Sequence, residues 1–189
     1  INNYSVPKEK INIIPSWADP QLIYPIPREN NSFLKDNNLL NSFIILYSGN
    51  QGRCHDLETL INTAKILKEN KNIIFLFVGD GYQNKSLRRE ASVNKLTNCM
   101  FLPFQEKKDL PLILSSASIG IVSLHKHING LIAPSKLYGH LASGTPIALI
   151  SNKNSYLKDL IEEKKFGRWF NNGDQNKLAK WIIEIYHNK

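Results

Sequence analysis

From residue 43 onward the chain repeats one unit, a mostly apolar run followed by a stretch with apolar residues at helical spacing. The runs are "FIILYS" (43–48), "NIIFLFVGDG" (72–81), "NCMFLPF" (98–104), "SIGIVSL" (118–124), "TPIALIS" (145–151) and "GRWF" (167–170). Strands that are apolar on both faces belong to a parallel sheet covered on both sides. Between them, Leu57, Leu60, Ile61, Ala64 and Leu67 fall at helical spacing. Further helices are predicted over 84–94, within 107–117, over 134–143 opened by Pro134, and around 155–164. A last helix carries Leu178, Trp181, Ile182 and Ile185 on one face. This alternation predicts an α/β fold, a Rossmann-like, doubly wound, mostly parallel sheet with helices on both faces.

The first 40 residues do not share the rhythm. "INIIPSWADP" (11–20) is a short apolar run broken by proline, and residues 21–40 mix prolines and asparagines with a few apolar anchors. They are expected to form an opening strand and an extended connector packed on a domain built by 41–189. With 189 residues, 42% of them hydrophobic, the chain is large enough for one sizeable core. No apolar run approaches the ~20 residues of a membrane span. The chain starts at Ile1 with no charged-then-apolar leader, so no signal peptide is visible, and an upstream segment is expected.

The formal charge is +8. Such a charge suits either a solvated lysine-rich surface or attraction to anions. The lysines are dispersed and no aromatics alternate with them, so nucleic acid is not an expected partner. Cys54 and Cys99 are far apart and fit no zinc spacing. His125 and His127 alternate after the fourth run without an evident third ligand, so no metal site is expected there.

Parallel strands place their outgoing loops along one edge, where ligands of such sheets bind. The loop "SGNQGRCHD" (48–56) offers Gly49, Asn50, Gly52, Arg53 and His55. Its glycines permit positive φ and close backbone approach. Amides at the start of the following helix would favour an anion, and Arg53 adds a fork suited to phosphate. A tight turn with a solvated arginine is the other reading. The spacing is neither a dinucleotide fingerprint nor a P-loop. "VGDG" brings Gly79 into a similar turn. Phe104 and Gln105 follow the third run, where an aromatic and an amide flank a flat base or Phe104 belongs to the core. "APSKLYGHLASGTP" (133–146) places Ser135 and Lys136 at a helix start. It also puts Gly139 inside the helix, where glycine costs ~1 kcal/mol and implies a close ligand, close backbone or tight packing.

Taken in order, "IIPSWAD" (13–19), "YSGNQGRCHDLETLI" (47–61), "FLFVGDG" (75–81), "MFLPFQEKKDLP" (100–111), "APSKLYGHLASGTPIALI" (133–150) and "FGRWFNNGD" (166–174) resemble the C-terminal half of a family 4-like GT-B glycosyltransferase of bacteria. The resemblance implies two Rossmann-like domains facing a cleft, with the nucleotide-sugar donor held by the C-terminal one. The N-terminal acceptor domain is absent from this chain. It implies that Arg53 neutralises the donor diphosphate, that His55 occupies the region of a second cation, and that the base sits near Phe104 and Gln105. Many relatives carry two glutamates with seven residues between them; here Leu131 and Gly139 stand at those places. No glutamate role is transferred, and Ser135 and Lys136 become the candidates near the phosphates.

The expected function is the donor-binding half of a retaining glycosyltransferase serving a cell-surface polysaccharide or lipid-linked acceptor. No cofactor and no metal are expected, and catalytic residues are not assigned. A cytoplasmic location is expected, with peripheral contact at the inner membrane face left open. The isolated domain is expected to be inactive. The alternatives are a nucleotide-sugar epimerase of the same plan, or a non-catalytic anion- or polysaccharide-binding module.

Overall fold

The computed structural model describes residues 7–12, 14, 16–128 and 131–188. A short helix α1 (Ser32–Asp36) leads into β1 (Phe43–Ser48), α2 (Glu58–Ile66), β2 (Ile73–Val78), α3 (Asn84–Val93) and β3 (Cys99–Leu102). Then come α4 (Leu110–Ser115), β4 (Ile119–Ser123), α5 (Lys136–Ala142), β5 (Ile147–Ile150), α6 (Tyr156–Lys164), β6 (Gly167–Phe170) and α7 (Gln175–His187). The strands form one six-stranded sheet in the order β3-β2-β1-β4-β5-β6. Every neighbouring pair is parallel, as the all-apolar runs predict.

Side chains alternate across a strand, and both sets are buried here. From β1, Phe43, Ile45 and Tyr47 join Leu60 and Ala64 of α2, Leu87 of α3, and Leu178 and Ile182 of α7. Trp181 and Ile185 pack at the margin of the same cluster. Ile44 and Leu46 point the other way, to Leu34 of α1 and Leu114 of α4. Val122, Ile147 and Leu149 extend that second face under Leu137 of α5 and Ile161 of α6. Glycine at 120 lets α5 approach β4: a Cβ there would lie 2.4 Å from the His140 ring.

The opening strand is not found: among the described residues before Phe43 there is no strand. Prolines at 20, 25 and 27 remove the donors that a ladder needs. Instead, Asp19 folds the chain into a turn, its carbonyl accepting from Leu22 N at 3.0 Å and Ile23 N at 2.9 Å. The Arg28 guanidinium then gathers carbonyls, donating to Leu40 O at 2.7 Å, Leu39 O at 2.9 Å and Ser116 O at 3.2 Å, and also to Ser42 O. Asn31 caps α1 through Leu34 N and donates to Leu112 O at 2.7 Å. These bonds fasten the connector to the start of β1 and the end of α4.

The strand order reverses between β1 and β4. The loops leaving those two strands flank a crevice at the carboxyl edge, the usual ligand position of such sheets.

Candidate functional site

The loops after β1 and β2 are locked together by buried amides. Gln51 is fully buried; its backbone N–H donates to Asp80 O at 2.8 Å and its side chain accepts from Asn84 Nδ2 at 3.0 Å. Gln83 returns the contact, its side chain donating to Gly52 O and His55 O at 2.6 and 3.0 Å. Gly49 and Gly79 both have φ of +121°. A Cβ on Gly79 would lie 2.3 Å from Gly49 O and 3.2 Å from the Phe104 ring, so three outgoing loops meet there. Gly52 has no positive φ, against expectation, and a Cβ there would make only ordinary contact with Asn50. The Gly81 turn supplies the strain relief instead: φ is +145°, and a Cβ would lie 2.8 Å from the Gln51 backbone.

The start of α2 is not open to an anion. Regular helix begins at Glu58, but Asp56, one residue outside the helix boundary at Leu57, supplies the cap. Its Oδ1 accepts from Thr59 N at 2.9 Å, and its Oδ2 accepts from Thr59 Oγ1 and Asn172 Nδ2, each at 2.7 Å. A buried carboxylate already fills the position a phosphate would take. The available donors lie earlier in the loop, where the amides of Gly52 and Arg53 find no acceptor among the described residues.

The fourth loop brings Lys136 to Gly49. A Cβ on Gly49 would lie 2.9 Å from Lys136 Cε, so the glycine leaves room for the lysine stem. Lys136 Nζ lies 3.4 Å from His55 Nε2 and 5.3 Å from the centre of the Tyr47 ring. Tyr47 is itself fixed, its hydroxyl donating to Asn50 O at 2.6 Å. Lys136 forms no ion pair with a carboxylate among the described residues. Burial lowers its pKa from the ordinary value, with a smaller opposing effect of Cys54. An ammonium with three donors and no counter-ion, half-buried at a sheet edge, is chemically suited to an anionic ligand. α5 starts at Lys136, two residues after the expected Pro134; the Pro134 carbonyl instead accepts from Leu137 N at 3.2 Å. The Ser135 hydroxyl makes no capping bond.

Other predicted residues fall elsewhere. Arg53 is exposed, its guanidinium 3.8 Å from the centre of the Tyr82 ring. It lines a cleft of about 670 Å³ together with His55, His125, Lys126 and Asn172, and Lys136 does not line that cleft. Phe104 is 59% exposed, so the core alternative does not apply. Gln105 is exposed and donates to Pro103 O at 2.9 Å. Gly139 does not reach the crevice: a Cβ would lie 3.1 Å from Leu114 of α4 and 3.9 Å from Ile23, so tight packing accounts for it. Leu131 is exposed, and position 130 lies outside the described residues. The His125 and His127 rings are 5.2 Å apart, and no group of three potential metal ligands gathers among the described residues.

Sequence reasoning missed Tyr47, Gln51, Asp56 and Gln83. Only Asp56 carried a local signal, an acidic residue three positions before Thr59 at a helix start. The glutamines act across loops more than 25 residues apart and leave no periodic trace.

The profile of glycosyl transferases group 1 matches residues 29–189. A probable glycosyltransferase of Pseudomonas aeruginosa, WbjE, is 28% identical over 187 residues, covering 94% of this chain and 46% of its own length. The chain therefore spans about half of that curated relative. Among solved structures, HepE of Anabaena in complex with UDP-glucose superposes with a TM-score of 0.77 at 17% identity, over 99% of this chain and 50% of that one. The C-terminal domain of the group 1 glycosyl transferase LpcC from Francisella tularensis superposes with a TM-score of 0.70 at 17% identity, over 90% of this chain and 88% of that one. These likenesses agree on the fold, one Rossmann-like half of the GT-B plan. By the extent of the profile match, the chain belongs to the glycosyl transferases group 1 family.

Proposed function

We propose that this chain is the donor-binding half of a retaining glycosyltransferase that moves a sugar from a nucleoside diphosphate. The observation that carries the reading is the uncompensated Lys136 ammonium, held beside the positive-φ Gly49 at the carboxyl edge between β1 and β4. As the glycosidic bond breaks, charge grows on the leaving diphosphate. A preorganised cation and loop amides aimed at it stabilise that charge. Lys136 and the Gly52 and Arg53 amides take this role, with Ser135 alongside and no metal required. Arg53 is a second, outer cation. The base lies against Phe104, the exposed ring beside Gly79, with Gln105 next to it.

A second Rossmann-like half in the full-length protein supplies the acceptor side of the cleft, a reading supported by the chain's spanning only about half of WbjE. Residues 1–40 join that half to the domain of 41–189, and the chain alone does not turn over. The acceptor is a cell-surface polysaccharide or a lipid-linked precursor. The reaction takes place in the cytoplasm, with basic residues making peripheral contact with the inner membrane face. Group 1 membership favours transfer over the epimerase reading.

The test is calorimetric titration with UDP and with uridine, on the wild type and on Lys136→Met. Loss of one charge-assisted contact, ~1.5–3 kcal/mol, weakens UDP about tenfold to a hundredfold and leaves uridine nearly unchanged. Equal changes for both ligands, or none for either, would refute the diphosphate assignment.

A further inference from the structure

His55 stands where the family resemblance calls for a second cation, but its surroundings favour a neutral ring. It is 7% exposed. Its Nδ1 lies 2.7 Å from Ser123 O at the end of β4. A carbonyl only accepts, so Nδ1 carries the proton and Nε2 keeps its lone pair. Lys136 Nζ, 3.4 Å from Nε2, has only protons to offer and is the donor. The Tyr47 ring meets the imidazole edge-on, 5.8 Å between centroids at 70°.

We propose that His55 is a positioning residue: by donating to Ser123 O and accepting from Lys136, it holds the Lys136 ammonium over Gly49, ready for an anionic diphosphate. The link runs from the β1 loop to the end of β4 and to the start of α5, so it spans the crevice where the strand order reverses. Its consequence for binding rests on the donor-site reading above.

An imidazolium at this place would turn Nε2–H toward an ammonium at contact distance, two like charges with little water between them. Burial lowers the His55 pKa first and the Lys136 charge adds to it, while the Ser123 bond opposes both. The titratable and charged groups around the ring are Tyr47 from β1, Cys54 and Asp56 on either side in the chain, Arg53, Glu58, His125 and Lys126 lining the same cleft, and Lys136 from α5. The Asp56 carboxylate is already held by Thr59 and Asn172. When His55 takes a second proton, Nε2 no longer accepts, the link opens, and the ammonium loses its fixed place.

UDP-glucose is the probe, because its diphosphate diester keeps one charge state between pH 8 and 5.5. Wild-type affinity does not fall between pH 8 and about 6.5 and falls only on further acidification, because the ring's pKa is lowered from the ordinary 6.5. His55→Ala weakens binding about three- to tenfold at pH 8. His55→Gln, whose amide offers both a donor and an acceptor, stays within about twofold of wild type and does not respond to pH through this position. Affinity that rises on acidification, or a His55→Gln variant as weak as His55→Ala, overturns the proposal. Long-range proton–nitrogen NMR of the ring decides the link without any nucleotide. The expected result is an Nδ1–H tautomer whose Nε2 signal shifts in Lys136→Met; an Nε2–H tautomer overturns it. If the tautomer is as expected and UDP-glucose does not bind, the link stands and the donor-site reading fails.

Discussion

Lowering the pH should destabilise this protein through a residue that the candidate site does not use. His140 on α5 is fully buried against Gly120, and neither ring nitrogen has a hydrogen-bond partner among the described residues. Burial, with the Lys136 charge adding to it, pushes its pKa from 6.5 down to about 4. The folded state therefore holds the neutral ring, while the unfolded chain binds a proton below about 6.5. This stability is fully present above that pH and is lost as the pH falls toward 4. At ~1.4 kcal/mol per pH unit the whole gap is worth about 3 kcal/mol, and about 2 kcal/mol of it is gone by pH 5. Urea unfolding of wild type and His140→Leu at pH 7 and pH 5 measures the effect. The variant should lose about 2 kcal/mol less on acidification than wild type. It should also be no less stable at pH 7, because an unsatisfied buried N–H, itself costing ~1–3 kcal/mol, has been removed. Equal acid losses in the two proteins would refute the argument.

Gly49→Ala should destabilise by ~1–3 kcal/mol, since alanine strains at a φ of +121°, and should weaken UDP by displacing Lys136, as urea unfolding and calorimetry would read. Asp56→Ala removes a buried helix cap that also anchors Asn172; a loss of about 2 kcal/mol is expected in urea, and a change below about 0.5 kcal/mol would show the cap to be idle. Arg53→Ala should weaken UDP by only about threefold or less, because its exposed guanidinium rests on Tyr82. A larger loss than that of Lys136→Met in the same titration would mean that Arg53 leaves Tyr82 to grip the diphosphate.

The sheet was legible because parallel strands buried on both faces leave apolar runs, and here those runs alternate regularly with segments of helical spacing. The edge at which the loops meet followed from parallelism alone. What escaped the sequence was side-chain partnership at long range. The tautomer of His55 is set by Ser123, 68 residues away, and its other nitrogen faces Lys136, 81 residues away. The sequence therefore placed His55 only in the region of a second cation, and its surroundings favour a neutral ring. The Thr59 amide at the start of α2 was already taken by Asp56, a residue within the quoted loop whose direction only the fold reveals. Glycines were legible as special but not individually: Gly49, Gly79 and Gly81 need positive φ, Gly52 does not, and Gly139 makes room for Leu114. Among the described residues before Phe43 the apolar run forms no strand, and the prolines that follow it lead the chain into turns.

The most direct test of the account is a crystal structure of the chain with UDP-glucose. The account predicts the diphosphate in the crevice between β1 and β4, within hydrogen-bond distance of Lys136 Nζ and the Gly52 or Arg53 amide, with the uracil against Phe104. A diphosphate seated instead in the cleft of Arg53, His125 and Lys126, with Lys136 still on His55 and free of ligand, would contradict it.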